Sequence, residues 1–203
     1  MRTLKKQKEN TRMMVLMALL GAIVVVLQFF AGSISIGSFS ITLALVPIVL
    51  GAVLYGPIQG AILGGLFGIV VSYSVVTGTD VGGHIMFEYL PAVTLFMCIF
   101  KGAVAGFMAG FVAKCLKEYD SFVRVVAAAI VAPICNTAIL SLGIVVFYRE
   151  LASQWAVAGG FDSIIAYIIF GMCGLNFVLE LSINIIFAPV ISTVIKATKR
   201  FLK

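Results

Sequence analysis

One long apolar stretch follows another along this chain, and that repetition limits how it can fold. From Met13 to Ala31 the sequence is almost wholly apolar, about the ~20 residues that a helix needs to cross a bilayer core. Comparable segments cover about Ile41–Leu54 and Ile58–Val76, and lie within Leu90–Ala113, Val123–Phe147 and Ile164–Ile195. The segments are continuously apolar instead of alternating, which favours helices over a barrel. The expected fold is therefore an all-α integral membrane protein of six transmembrane helices. The second segment falls short of a full span and is expected to tilt little or to borrow from the loop before it. The tight Tyr55-Gly56-Pro57 turn separates it from the third.

With 62% hydrophobic and 11% charged residues, the chain exceeds the apolar content of soluble domains, so lipid must solvate it. The basic start (Arg2, Lys5, Lys6, Lys8, Arg12) runs into the first segment with no A-x-A cleavage site after it. A retained first span is expected. Residues 1–203 read as a single transmembrane domain, with a basic amino terminus (1–12) and a basic tail (196–203).

Lysine and arginine set the orientation. Placing both termini and the 114–124 loop in the cytoplasm collects Arg2, Lys5, Lys6, Lys8, Arg12, Lys114, Lys117, Arg124, Lys196, Lys199, Arg200 and Lys203 there, and leaves Arg149 outside. That asymmetry follows the positive-inside rule. The net charge of +6 is thus a topological and lipid-facing feature, and gives no support for nucleic-acid binding. The outer connections become 32–40, 77–90 and 148–163. They hold Asp80, His84, Glu88, Arg149, Glu150, Asp162 and the tryptophan, Trp155. Gly32–Ser38 reads as a small flexible loop, and Thr77–His84 as a glycine-rich one able to fold over a ligand, the alternative for all three connections being plain solvated connectors.

Polar residues inside the spans are the candidate site. Asn176, Glu180 and Asn184 repeat every four residues in the last segment, on one helical face, and a carboxylate at membrane depth points to function by default. Counting ~20 residues outward from Lys196 puts the outer edge of that span near Leu175, and Glu180 roughly 6–8 Å below it. Counting from Lys117 and Arg124 brings Lys101 and Asn136 to comparable depth in the fourth and fifth spans. Two readings fit this convergence. Lys101 and Glu180 form a structural ion pair, with Asn136 bonding across helices, or the same groups line a polar ligand cavity. Substrate-binding candidates are Lys101, Asn136, Asn176 and Glu180, with His84, Glu88 and Trp155 from the outer loops.

Small residues mark packing faces. Gly60, Gly64 and Gly68 in the third span, and Gly102, Gly106 and Gly110 in the fourth, suit close internal packing of helices. Ala18 and Ala22 in the first span are equally suited to docking another protein. Enzyme motifs are missing: no G-x-x-x-x-G-K-[ST] loop, no G-x-S-x-G elbow, and in His84 one histidine only, so no two-histidine zinc site. No metal is expected. Cys98, Cys115, Cys135 and Cys173 occur singly, without C-x-x-C spacing, and read as free thiols.

The order of these segments resembles the S component of an energy-coupling factor (ECF) vitamin transporter. The likeness spans nearly the whole chain. It rests on the six segments, the basic start, Ala18-x-x-x-Ala22, Val46-Pro-Ile-Val-Leu-Gly-Ala-Val-Leu-Tyr-Gly-Pro57 with Gly60 and Gly64, Lys101-Gly-Ala-Val-Ala-Gly106, and Ala132-Pro-Ile-Cys-Asn-Thr137. The resemblance implies capture of a vitamin near the outer face of a prokaryotic cell membrane. It also implies docking of the first-span alanines onto a transmembrane coupling protein driven by two ATPases. The chain itself would need no cofactor, with ATP used by those partners. Lys101 would suit a carboxylate, as in pantothenate. The alternative is a stand-alone small channel or a membrane assembly subunit without ATP-coupled transport.

Overall fold

The computed structural model describes residues 2–32, 35–36, 39–40, 42–172 and 174–201. Cys173, Lys203 and four of the seven Gly32–Ser38 residues lie outside the described residues, as do the side chains of Arg2, Lys5, Lys6, Lys8, Lys199 and Arg200. Helix α1 runs Arg2–Gly32 and leads into two short antiparallel strands, β1 (Ser35–Ile36) and β2 (Phe39–Ser40). Then follow α2 (Leu45–Tyr55), α3 (Pro57–Val76), α4 (Val81–Tyr89), α5 (Pro91–Cys115), α6 (Ser121–Phe147), α7 (Arg149–Ala158) and α8 (Ile164–Ala166). A π-helical turn, Tyr167–Met172, joins α8 to α9 (Gly174–Phe201).

Among the described residues, five stretches are long and apolar enough to cross a membrane. They are Asn10–Phe30, Pro57–Val76, Pro91–Cys115, Ser121–Phe147 and Asn176–Thr198. Helix α2 does not join them: at ~1.5 Å per residue it rises only ~16 Å, about half a hydrocarbon core. It is instead enclosed by protein, with Leu45, Pro47, Ile48, Val49, Gly51, Ala52 and Val53 all buried against α1, α3, α5, α6 and α9. Burial on every side explains why its sequence is uniformly apolar. Gly56, at φ 107°, turns the chain into α3 through a backbone region that residues with a Cβ rarely occupy.

Helices α3 and α5 form the tightest pair. A Cβ on Gly64 would strike the Gly102 carbonyl, one on Gly60 the Gly106 carbonyl, and one on Gly68 the backbone of Cys98 and Ile99. The pairing is antiparallel and backbone to backbone, the use expected of small residues where lipid gives no hydrophobic drive. Cys98, Cys115 and Cys135 are free.

Two expected outer loops are largely helical. Asp80 caps α4, its Oδ1 accepting from the Gly83 N–H at 2.8 Å, so the glycine-rich stretch opens a helix. Helix α7 buries Leu151, Ala152 and Ala156, a spacing that presents one apolar face inward. The Tyr89 hydroxyl donates to Glu150 Oε2 at 2.9 Å, tying α4 to α7. Accepting that bond, Glu150 holds the Tyr89 phenol above its ordinary pKa. Buried Tyr148 lies 2.6 Å from the Thr94 hydroxyl and donates to the Leu90 carbonyl at 3.3 Å. Three apolar clusters fill the interior: one around Tyr148 and Met172, one around Ala129 and Ile191, and one between α1, α2, α3 and α5 around Phe67.

Candidate functional site

A polar cavity opens where five long elements meet. Its walls are Gln28 from α1, Thr42 just ahead of α2, Val71 from α3, Asp80, Lys101 from α5, Asn136, Thr137 and Leu140 from α6, Met172, and Asn176, Phe177 and Glu180 from α9. The shortness of α2 makes this space: where a full span would continue outward, Thr42 instead borders the cavity. Its volume is about 50 Å³. A smaller lobe of about 20 Å³ continues past Asp80 and Lys101 to Thr94, Met97 and Cys98.

Glu180 is the central group. It is 5% exposed, its carboxyl faced by the Thr42 hydroxyl and N–H, by Asn136 and, at longer range, by Lys101. Its Oε2 has no hydrogen-bond partner. Gln28 Oε1 and Asn136 Oδ1 are likewise buried without one. An unpaired buried acceptor costs ~1–3 kcal/mol, so several around one cavity mark a place where something else supplies the donors. Among the described residues no direct ion pair joins Lys101 to Glu180. The two border the same cavity, with Lys101 acting on the carboxyl at longer range.

Of the residues singled out in the sequence, Lys101, Asn136, Asn176 and Glu180 line this one space. The outer-loop candidates do not. His84 Nδ1 lies 2.9 Å from the Val75 carbonyl and its Nε2 3.6 Å from Glu88 Oε1, fastening α4 to the end of α3. Glu88 is exposed. Trp155 packs on Tyr167, ring centroids 6.5 Å apart, beside the apolar cluster around Tyr148 and Met172. Asn184, one turn along α9 from Glu180, is fully buried and donates to the Glu180 carbonyl at 2.8 Å. Its Oδ1 is buried without a partner. Gln28, Thr42 and Asp80 complete the cavity without having been singled out. Gln28 carried a signal, as the one polar residue between Met13 and Ala31. Thr42 carried none.

Beside the cavity, an apolar groove of about 310 Å³ runs between α6, the π-helical turn and α9, lined by Ile134, Ala138, Ile168 and Ile169. It shares Thr137 and Phe177 with the polar cavity. The sixth span thus differs from a single helix beginning at Ile164: the π turn widens the backbone here, and such turns recur at functional sites.

The family model for the ECF transporter, substrate-specific component, matches residues 12–195, nearly the whole chain. The chain belongs to this family. No curated protein and no solved structure matches it. For an ECF substrate-specific component, the cavity between Lys101 and Glu180 is the interior space that carries the charged and amide groups. Ala18 and Ala22 are both exposed on α1, next to exposed Val15, Leu19 and Val26, and face away from the helices that enclose the cavity.

Proposed function

We propose that this substrate-specific component captures a vitamin or related micronutrient in the cavity bounded by Gln28, Thr42, Asp80, Lys101, Asn136, Asn176 and Glu180. A transmembrane coupling protein and two ATPases would complete the importer, and ATP would be used there and not in this chain. The supporting observation is a buried carboxyl group, Glu180, with an unpartnered oxygen, on the lining of a space that four helices furnish with polar groups. Inward of it the helices close over Ala129, Ala132 and Ala188, an apolar seal that suits a capture site better than a channel.

The domain is taken as one transmembrane unit, with both termini cytoplasmic, in the cell membrane of a prokaryote. The exposed Ala18–Ala22 face is the proposed docking surface for the coupling protein, since small residues allow close backbone approach. Lys101 suits an anionic or carbonyl end of the ligand, which favours a carboxylate-bearing vitamin such as pantothenate. A cavity of about 50 Å³ falls well short of the ~300–1,000 Å³ of a drug-sized site, so a vitamin has to part its walls. The groove beyond Phe177 offers the additional volume.

The test is a mass spectrum of small molecules retained by the purified protein, followed by titration of the species found. Asn136→Ala should weaken its binding by about 1–3 kcal/mol, the cost of an unpaired buried partner. Absence of any retained or titratable small molecule, or unchanged affinity in Asn136→Ala, would remove the cavity as the capture site.

A further inference from the structure

We infer that the ligand presents a nitrogen-bearing hydrogen-bond donor of the amidine or aminoheterocycle kind to the wall formed by Gln28, Asn136 and Glu180. This rests on the cavity being the capture site, and it names the chemistry that site selects.

The argument is a count of donors and acceptors. Gln28, Asn136 and Glu180 are 3%, 4% and 5% exposed and line the cavity, and each has a buried oxygen without a partner: Oε1, Oδ1 and Oε2. The amide orientation of Asn136 is fixed by its neighbour. Its N–H side faces the Glu180 carboxyl, so its carbonyl oxygen is the atom left over. The neighbours of Glu180 are all donors, namely the Thr42 hydroxyl, the Thr42 N–H, the Asn136 amide and the more distant Lys101 ammonium.

Charge points the same way. Asp80 and Glu180 are carboxylates on the lining, and Lys101 is its one cation among the described residues. A carboxylate group placed against this wall brings acceptors alone, so it would leave all three orphan oxygens unpaired. A planar group with two or more N–H bonds supplies what they lack. Whatever the ligand offers to Lys101, the opposite wall calls for donors.

Three probes of one shape decide the matter: acetamidinium, acetamide and acetate, with sodium chloride matching the ionic strength. Each is titrated against the purified full-length chain in detergent, reading the melting temperature. Acetamidinium should stabilise the protein, and its dissociation constant should rise about tenfold or more in Glu180→Gln, as for loss of a hydrogen bond to a charged group. Gln28→Met, close in shape and lacking the acceptor, should weaken it in the same direction and serves if Glu180→Gln folds poorly. Stabilisation by acetamidinium that is equal in wild type and both variants overturns the inference. Stabilisation by acetate alone overturns it while leaving the cavity as the capture site. If no probe stabilises the chain, the inference is overturned, while the capture site stands or falls on the small molecule retained by the purified protein.

Discussion

Lys101 on α5 and Glu180 on α9 border the same cavity without meeting in a direct ion pair. The distinction decides what Glu180 is for. Breaking a buried pair leaves an uncompensated charge and typically costs ~3–5 kcal/mol. Here Thr42 and Asn136 face the carboxyl, and a glutamine carbonyl can accept from both. Glu180→Gln should therefore leave stability within about 1 kcal/mol of wild type, as for substitutions that break no buried pair, while affinity for the retained small molecule falls. Melting curves and titrations on the same variant check this. A large loss of stability with unchanged affinity would restore the structural reading.

The α3–α5 contact yields a paired test on adjacent glycines. A methyl at Gly64 would run into the backbone of Gly102 and Ala103, whereas one at Gly65 meets nothing within 4 Å. Gly64→Ala should destabilise by about 1–3 kcal/mol, the usual cost of overpacking. Gly65→Ala should be neutral or slightly stabilising, by up to about 1 kcal/mol, because alanine is the better helix former. Thermal melts of the two variants in detergent compare them directly. Equal effects would mean that the helices do not approach as closely as the glycines indicate.

How much of this was legible in the sequence depends on which physical signal each part carried. The long helices were legible because lipid imposes length and apolarity together. Lys101, Asn136 and Glu180 came to one depth because helical rise is constant, so counting from basic boundary residues works on each span separately. Helices α4 and α7 were read as loops, since neither is long enough to register as a span. Their cues were local: Asp80 at a cap position, and the Leu151, Ala152, Ala156 face. Thr42 could not be found at all. It borders the cavity because α2 is short and enclosed, a fact of packing that no local pattern encodes. Gln28 lay in plain sight, yet a lone amide in a span usually reads as a bond between helices.

Orientation gives the third prediction. The basic residues gather at the two ends and in the 114–124 connection, and Arg124 there donates to the Ala113 carbonyl at 3.0 Å across that turn. With these on the cytoplasmic side, a reporter fused after the carboxyl terminus should be active only in the cytoplasm. A fusion in the α7 segment, for example after Gln154, should report the opposite side. A carboxyl-terminal reporter reached from outside would invert the topology and, with it, the side from which the cavity is filled.

The last prediction separates capture from coupling. Ala18 and Ala22 are exposed on α1, while Gln28, two to three turns further along the same helix, borders the cavity. Replacing both alanines by leucine adds bulk at two exposed positions, so folding and small-molecule binding by the isolated protein should be unchanged. A partner that approaches the helix backbone closely has no room for that bulk, so uptake by cells should be lost and co-purification with the coupling protein should fail. The measurements are uptake of the retained small molecule in cells, its titration against the purified variant, and pull-down of the complex. Loss of binding along with uptake would mean that the alanines act inside the protein. Normal uptake would mean that another face of the chain meets the partner.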